Sequence, residues 1–231
     1  MASPLALSEA AQPVLSTLGD EGSPLLAVDR AVADPGLVRA IAAKHAFRPI
    51  GPHYPGIRAP VSAQVAMPLV APLASLLQHA FALATPPTFG ECFLSIVTTP
   101  PQDLAPIQRL PHFDGVESER LAVLLYLDPA EDTGTAFYRQ RSTGFESVTA
   151  DRFAAYDENL RADIGRHGLP QAGYIGADSP LFEQIALAEG RFNRMVAYRG
   201  NQLHCASLPP GFVPVADPLA GRLTLNLFLN C

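Results

Sequence analysis

The sequence predicts an α+β, mainly β fold, a closed or sandwich-like β-barrel with helical support. Two observations predict the β part. From residue 92 onward, short apolar runs follow one another quickly, and turn-like segments such as 129–134 separate them, as an antiparallel sheet requires. The third observation is that helix signals gather ahead of these runs and in one long interruption, which supplies the helical support.

Taken in order, residues 1–90 read as mainly helical support around a short strand at 25–29. Asp34-Pro35 is a helix start, an N-cap followed by proline at the first helical position, and Leu37, Val38, Ile41 and Ala42 give that helix its apolar face. The density of Pro and Gly makes 49–60, which carries His53, Tyr54 and Arg58, a loop. A second helix is expected from about Pro72, with Leu73, Leu76, Leu77, Ala80 and Phe81 on one stripe. The β core, 91–231, offers strands at 92–99, 107–113, 121–127 and 135–139, and again at 194–198, 202–207 and 222–229. The interruption, an insertion at about 140–190, carries helix candidates at 151–164 and from Ser179-Pro180 to about residue 188. It reads as a lid over the barrel mouth, a cover for an exposed sheet edge, or an oligomer contact.

The bulk numbers narrow the class. A chain of 231 residues, 48% hydrophobic, fits a single domain (1–231) with a substantial core. Its net charge is −6 and it has no Lys/Arg cluster, so nucleic acid is not the expected partner. Cys92, Cys205 and Cys231 are too few and too scattered for a disulfide framework, and each reads as a small buried hydrophobe. The N-terminus lacks a basic signal-peptide region, and the most apolar window, 60–84, is broken by Pro68 and Pro72. The expectation is a cytoplasmic protein with no membrane partner, either a monomer or a homodimer.

The chemistry gathers at Leu110-Pro111-His112-Phe113-Asp114. In an extended segment, side chains at i and i+2 leave the same face, so His112 and Asp114 can grip one ion together. A further imidazole, His204, lies downstream, and its neighbour Cys205 would point to the opposite face. Two His and one carboxylate make the facial triad suited to Fe(II), which keeps coordination positions open. On the last strand Arg222, Thr224, Asn226 and Phe228 share one face, and Leu223, Leu225, Leu227 and Leu229 share the other. The polar set is expected inside the barrel and the leucine set against helices. There Arg222 would hold a carboxylate through its fork; the bland alternative is pairing with a surface acid. Tyr126 is either a hydroxyl donor to the same carboxylate or a barrel-wall aromatic. Tyr54, Arg58, Arg109, Tyr138 and Arg139 are candidate substrate-side residues, while His45, His53, His79 and His167 have no ligand partner at a suitable spacing.

These elements resemble the Fe(II)/2-oxoglutarate-dependent dioxygenases, in particular the prolyl-hydroxylase-like branch. The residues that carry the resemblance are His112-Phe113-Asp114, Leu125-Tyr126-Leu127-Asp128, the Thr133-Gly134 turn with Thr135-Ala136-Phe137-Tyr138, the run ending Gln202-Leu203-His204, and Gly221-Arg222-Leu223-Thr224-Leu225-Asn226. The match covers roughly 92–230. Within it, Gln108 to Asp114 and Phe137-Tyr138-Arg139 look like an uncharacterised bacterial group of that superfamily. The resemblance implies a double-stranded β-helix (a jelly-roll, cupin-like barrel) in which His112, Asp114 and His204 bind Fe(II). Arg222 would anchor 2-oxoglutarate with help from Tyr126, Asn226 and Thr224. The reaction implied is O₂-dependent hydroxylation of an amino acid, peptide or small natural-product substrate, with succinate and CO₂ as co-products and ascorbate in support. Retention of Asp114 favours hydroxylation over halogenation, since halogenases of this kind carry a small residue there. One departure stands out: residues 208–219 insert a Pro-rich loop between His204 and Arg222, which either lengthens the connection harmlessly or displaces Arg222. The competing readings are a cupin-like metal dioxygenase or isomerase that uses no 2-oxoglutarate, and a non-catalytic β-barrel binding protein.

Overall fold

In the computed structural model, which describes residues 3–176 and 178–231, the chain is mainly β-sheet with few helices. Among the described residues, ten strands form two sheets. They are β1 (Gln12–Leu18), β2 (Ser23–Asp29), β3 (Gly56–Pro60), β4 (Thr88–Val97), β5 (Arg120–Tyr126), β6 (Gly134–Gln140), β7 (Phe182–Glu189), β8 (Met195–Arg199), β9 (His204–Ser207) and β10 (Leu223–Asn230). The large sheet runs β1-β2-β8-β5-β10-β4-β3 and the small one β7-β6-β9, every pairing antiparallel. The sheets do not close into a barrel; of the two architectures expected, the sandwich is observed.

Alternation along β10 sets the layers. Leu223, Leu225, Leu227 and Leu229 are fully buried against Val38 and Ala42 of α1 (Pro35–Ala42) and against Ala66 of α2 (Ala63–Ala66). Leu77 of α3 (Ala74–Ala80) and Phe81 complete this cluster, which is the principal core. Thr224 and Phe228 face the opposite way, toward the small sheet. There Ala122, Leu124, Tyr126, Val196 and Tyr198 of the large sheet meet Phe137 and Ala188 of the small one. The outer face of the small sheet, with Ala136, Tyr138 and Cys205, is covered by Tyr156 of α4 (Phe153–His167). The order is therefore helices, large sheet, small sheet, helix. Each fully buried large apolar side chain contributes about 1.5–3 kcal/mol, and the face of β10 packed on the helices carries four leucines.

The Asp34 side chain caps α1 by accepting the Leu37 N–H at 2.8 Å, as the sequence predicts. Three expectations are corrected. Among the described residues, the first ninety hold three strands and the start of a fourth; β1 is largely exposed, so it lacks the alternation that marks a half-buried strand, and β3 lies inside the segment whose Pro and Gly density predicts a loop. Residues 107–113 are not a strand: a 3-10 turn at Pro106–Arg109 precedes an isolated bridge at His112. The helix expected from Ser179 is the strand β7, paired along its whole length with β6; its Ala, Leu and Glu content favours helix, and tertiary pairing overrides it. The insertion supplies a helical cover for the small sheet and that sheet's edge strand. No helix among the described residues is long and apolar enough to cross a membrane.

Candidate metal centre

His112 and His204 face each other across a two-way backbone bridge, the His112 N–H donating to His204 O at 2.9 Å and the His204 N–H to His112 O at 2.8 Å. Directly opposed residues in an antiparallel pair project their side chains to the same side. The two rings accordingly lie 4.4 Å apart between centroids, tilted by 51°. Two residues on, the Asp114 N–H donates to Gly200 O at 2.7 Å, which continues the extended course and brings the carboxylate to the same side. The sequence expectation for these three residues is met by a bridge rather than a strand.

Asp114 Oδ1 lies 3.9 Å from His112 Nε2, and Asp114 Oδ2 lies 3.6 Å from His204 Nε2. One donor atom from each of the three residues falls within 4.8 Å of the others, the only such three-donor cluster of His, Cys, Asp and Glu among the described residues. Ligands about 2.1 Å from one ion, at right angles, are separated by about 3 Å, so a modest contraction would seat a metal. The His204 tautomer is set by its surroundings. Nδ1 is 2.8 Å from Gln202 O, an acceptor, so Nδ1 carries the proton and the Nε2 lone pair points into the cluster.

Electrostatics favour a cation here. Burial pushes His204 down to about 4, so the ring is neutral and able to ligate at neutral pH. His112 is likewise pushed down to about 4, by desolvation first and then by the neighbouring His204, although its side chain keeps 54% of its surface exposed. Burial raises Asp114 above the usual carboxylate range, and its Oδ2 has no hydrogen-bond partner. Two neutral imidazoles beside a desolvated, under-satisfied carboxylate are what a divalent cation would stabilise.

Arg222 sits just before β10, on the face turned toward the small sheet, and is 5% exposed. Its Nη2 donates to Gly134 O at 3.0 Å, its Nε has no acceptor, and no carboxylate among the described residues lies within ion-pair distance of it. The bland alternative, pairing with a surface acid, is not what is observed. Across the 208–219 loop, Arg222 still reaches the space between the sheets, where it meets Gly134 of β6. The loop turns back on Asp217, whose carbonyl accepts the Ala220 and Gly221 N–H groups, and a Cβ at Gly221 would lie 2.1 Å from Val215 O. Arg222 also walls a cavity of about 340 Å³ between this loop and Asp128 to Asp132, which the three-donor cluster does not line.

Of the other expected residues, Tyr126 is fully buried with its hydroxyl 2.7 Å from Thr135 Oγ1, bridging the sheets close to Arg222. Thr224 donates to Asn226 Oδ1 at 2.7 Å on the same inner face. Tyr54 and Arg58 come to this face as well: the Arg58 guanidinium stacks 3.9 Å above the Tyr54 ring. Three expected substrate-side residues do not. Arg109 donates to Leu104 O; Tyr138 lies in the outer cluster and donates to Gly176 O at 2.8 Å; Arg139 is held by Glu146, Asp20 and Glu183. Cys205 points away from the donors, as expected, toward Tyr138. Sequence reasoning missed Ser95, Thr135 and Gln202, whose positions depend on cross-strand register that no local pattern reveals.

Residues 9–229 match the model of DUF6445, described as a family of unknown function. No curated protein matches the sequence. Among solved structures, HygX from Streptomyces hygroscopicus, with nickel and 2-oxoglutarate bound, superposes with a TM-score of 0.51 at 14% identity, over 91% of this chain and 84% of that one. SnoK, a non-heme alpha ketoglutarate dependent carbocyclase from nogalamycin biosynthesis, gives 0.49 at 12% identity over 95% and 87% of the two chains. An N-substituted L-amino acid dioxygenase from Burkholderia ambifaria AMMD gives 0.46 at 14% identity over 95% of each. The likeness to HygX is one of fold.

Proposed function

We propose that this chain, which belongs to the DUF6445 family, is a single-domain Fe(II)- and 2-oxoglutarate-dependent dioxygenase on a double-stranded β-helix core. In this reading His112, Asp114 and His204 hold the metal and Arg222 holds the far carboxylate of the co-substrate. The observation that carries it is a pair of incomplete sites between the two sheets: a three-donor cluster suited to a cation, and a buried guanidinium with no acid partner among the described residues. A buried unpaired charge is costly, and a 2-oxoacid dianion would satisfy both sites, one end at the metal and the other at Arg222.

The protein's own residues have defined tasks. Gln202 O holds the His204 proton on Nδ1 and keeps Nε2 free to ligate. Gly134 O fixes one arm of Arg222, and the Tyr126–Thr135 pair closes the wall beside it. Thr224 and Asn226 add polar atoms to the same face. Phe137 and Tyr198 pack around His204, with ring centroids 6.5 and 4.8 Å away, and keep bulk water from the metal side. The metal, when bound, supplies the O₂ chemistry that oxidises 2-oxoglutarate to succinate and CO₂ and a substrate C–H bond to C–OH. The substrate is a small molecule, an amino acid or a peptide, and ascorbate would keep the iron reduced.

The test is anaerobic titration of 2-oxoglutarate into Ni(II)-loaded protein, followed by succinate release under air with Fe(II) and ascorbate. The reading expects binding that needs the metal and is lost in Arg222→Ala, together with slow uncoupled succinate formation. Metal-independent binding, or no succinate above background, would overturn it.

A further inference from the structure

Arg58 has no task in the function proposed above, yet it stands on the same inner face. The register of β3, β4, β10 and β5 places Arg58, Ser95, Thr224 and Tyr126 in one row across the sheet. The guanidinium lies 3.9 Å above the Tyr54 ring and 5.2 Å from that of Phe93, which fixes its plane and excludes water from its flanks. Its Nε is buried with no acceptor, and the nearby acids, Asp114 and Glu91, act on it only at a distance, Glu91 being bound to Arg120. Ser95 is fully buried, the Tyr54 hydroxyl lies beside its hydroxyl and interacts with it, and neither has another partner among the described residues. The charge of Arg58 is felt at His112 and Asp114, and that of Arg222 at Tyr54, so the group stands between the donor cluster and Arg222.

The guanidinium and a hydroxyl pair with one proton to spare converge there, on ground that needs an acceptor. A planar monoanion matches them: one guanidinium fork for two oxygens, with the spare hydroxyl proton for a remaining lone pair. A phosphate dianion fits less well, since Asp114 and Glu91 already place negative charge nearby. Arg48, joined to Arg58 by a backbone bridge, adds a positive field from the exposed edge. We infer that Arg58, with the Ser95 and Tyr54 hydroxyls, forms a second carboxylate-binding site beside the metal cluster, for a carboxylate that Arg222 does not take. The inference rests on the dioxygenase reading for the role of that cluster. The carboxylate belongs either to the substrate, which is then an organic acid, or to the metal-side end of 2-oxoglutarate.

The experiment compares wild type, Arg58→Gln and Arg222→Gln as Ni(II)-loaded full chains. One arm measures 2-oxoglutarate affinity by calorimetry. The other measures thermal shifts, with 2-oxoglutarate present, from a panel of amino acids and mono- and dicarboxylic acids, each beside its primary amide. If the site serves the substrate, acids but not amides shift the wild type, Arg58→Gln weakens the effect tenfold or more, and its 2-oxoglutarate affinity stays within threefold. If it serves the co-substrate, Arg58→Gln loses tenfold or more in 2-oxoglutarate affinity. Arg58→Lys keeps the charge and loses the fork; should Arg58→Gln not fold, the same comparison is read from the lysine variant, with a loss of threefold or more expected. The proposal falls if both arms are unchanged within threefold, or if acids and amides behave alike. Arg58-dependent acid binding without any 2-oxoglutarate binding would sink the dioxygenase reading and leave this site standing; the reverse pattern sinks this site alone.

Discussion

Replacing Arg222 with methionine separates a residue kept for a ligand from one kept for the fold. The guanidinium is 5% exposed, has no acid partner among the described residues, and makes a single hydrogen bond, 3.0 Å to Gly134 O. In the ligand-free protein the substitution forfeits that bond, worth about 1.5–3 kcal/mol for a charged donor. It also removes an uncompensated buried charge, whose desolvation costs several kcal/mol, and methionine refills the volume with apolar atoms. The two effects oppose, so the change in ligand-free stability should stay within about 2 kcal/mol of zero. The ligand-bound state behaves differently. Truncating one partner of a desolvated charge pair costs about 2–5 kcal/mol, so 2-oxoglutarate affinity should fall by about 30-fold or more. At a concentration 100 times Kd, a ligand stabilises its protein by about 2.7 kcal/mol, which for a chain of this size is a rise in Tm of roughly 5–10 °C. Thermal unfolding of Ni(II)-loaded wild type and variant, with and without 2-oxoglutarate, measures both quantities. A ligand-free loss above about 3 kcal/mol would show that Arg222 supports the fold, and an undiminished ligand shift would show that it does not meet the co-substrate.

Three further outcomes follow from the same geometry. His204 is held at about 4 against an ordinary 6.5, so between these values the unfolded chain takes up a proton that the folded one refuses. Metal-free stability must therefore fall as pH drops from about 6.5 to 4, by up to about 3 kcal/mol from this group; His204→Asn should make that part of the pH–stability curve, measured by urea unfolding, shallower, the remaining slope coming from His112. Asp114→Asn should abolish metal binding in calorimetry yet leave metal-free Tm unchanged or higher, because it neutralises a buried carboxylate with an unpartnered oxygen; a drop of more than about 5 °C would mean that Asp114 holds the fold. Gly134→Ala would place a Cβ 2.4 Å from Ala188 O, so β6 and β7 must separate and the Gly134 carbonyl that steadies Arg222 must move. A loss of about 2 kcal/mol or more in stability is expected, with weakened 2-oxoglutarate binding, and a fully stable alanine variant would contradict the packing.

The strands that the sequence announces are the ones whose alternation is sharp and whose faces are both covered. β10 is the clearest case, with leucines against the helices and Arg222, Thr224 and Phe228 inward. β5 and β6 are legible for the same reason, as nearly continuous buried runs. β1 is not, because six of its seven residues are exposed and no periodicity separates it from a loop. β7 misleads in the opposite sense: Glu183, Leu187, Ala188 and Glu189 suit a helix, and only hydrogen bonding to β6 makes the segment extended.

The candidate site divides along the same line. His112 and Asp114 share a face by local geometry, so their pairing could be read from two positions of sequence. His204 joined them only as one histidine among six, chosen for its place ahead of Arg222. Ser95 and Thr135 carried no such signal. Ser95 is one hydroxyl in an apolar strand, and whether it faces the helices or the small sheet depends on its pairing with Thr224, more than a hundred residues away. A single-residue slip between β4 and β10 would turn Ser95 toward the helices and break the row that runs from Tyr126 to Arg58. The inner face is thus a product of register, and the leucines on the other side of β10 enforce that register, since turning β10 over would take all four away from the helices. The apolar core is what turns Arg222 and Arg58 to the inner face, and substitutions such as Leu225→Ala, on the opposite face, should loosen both arginines together.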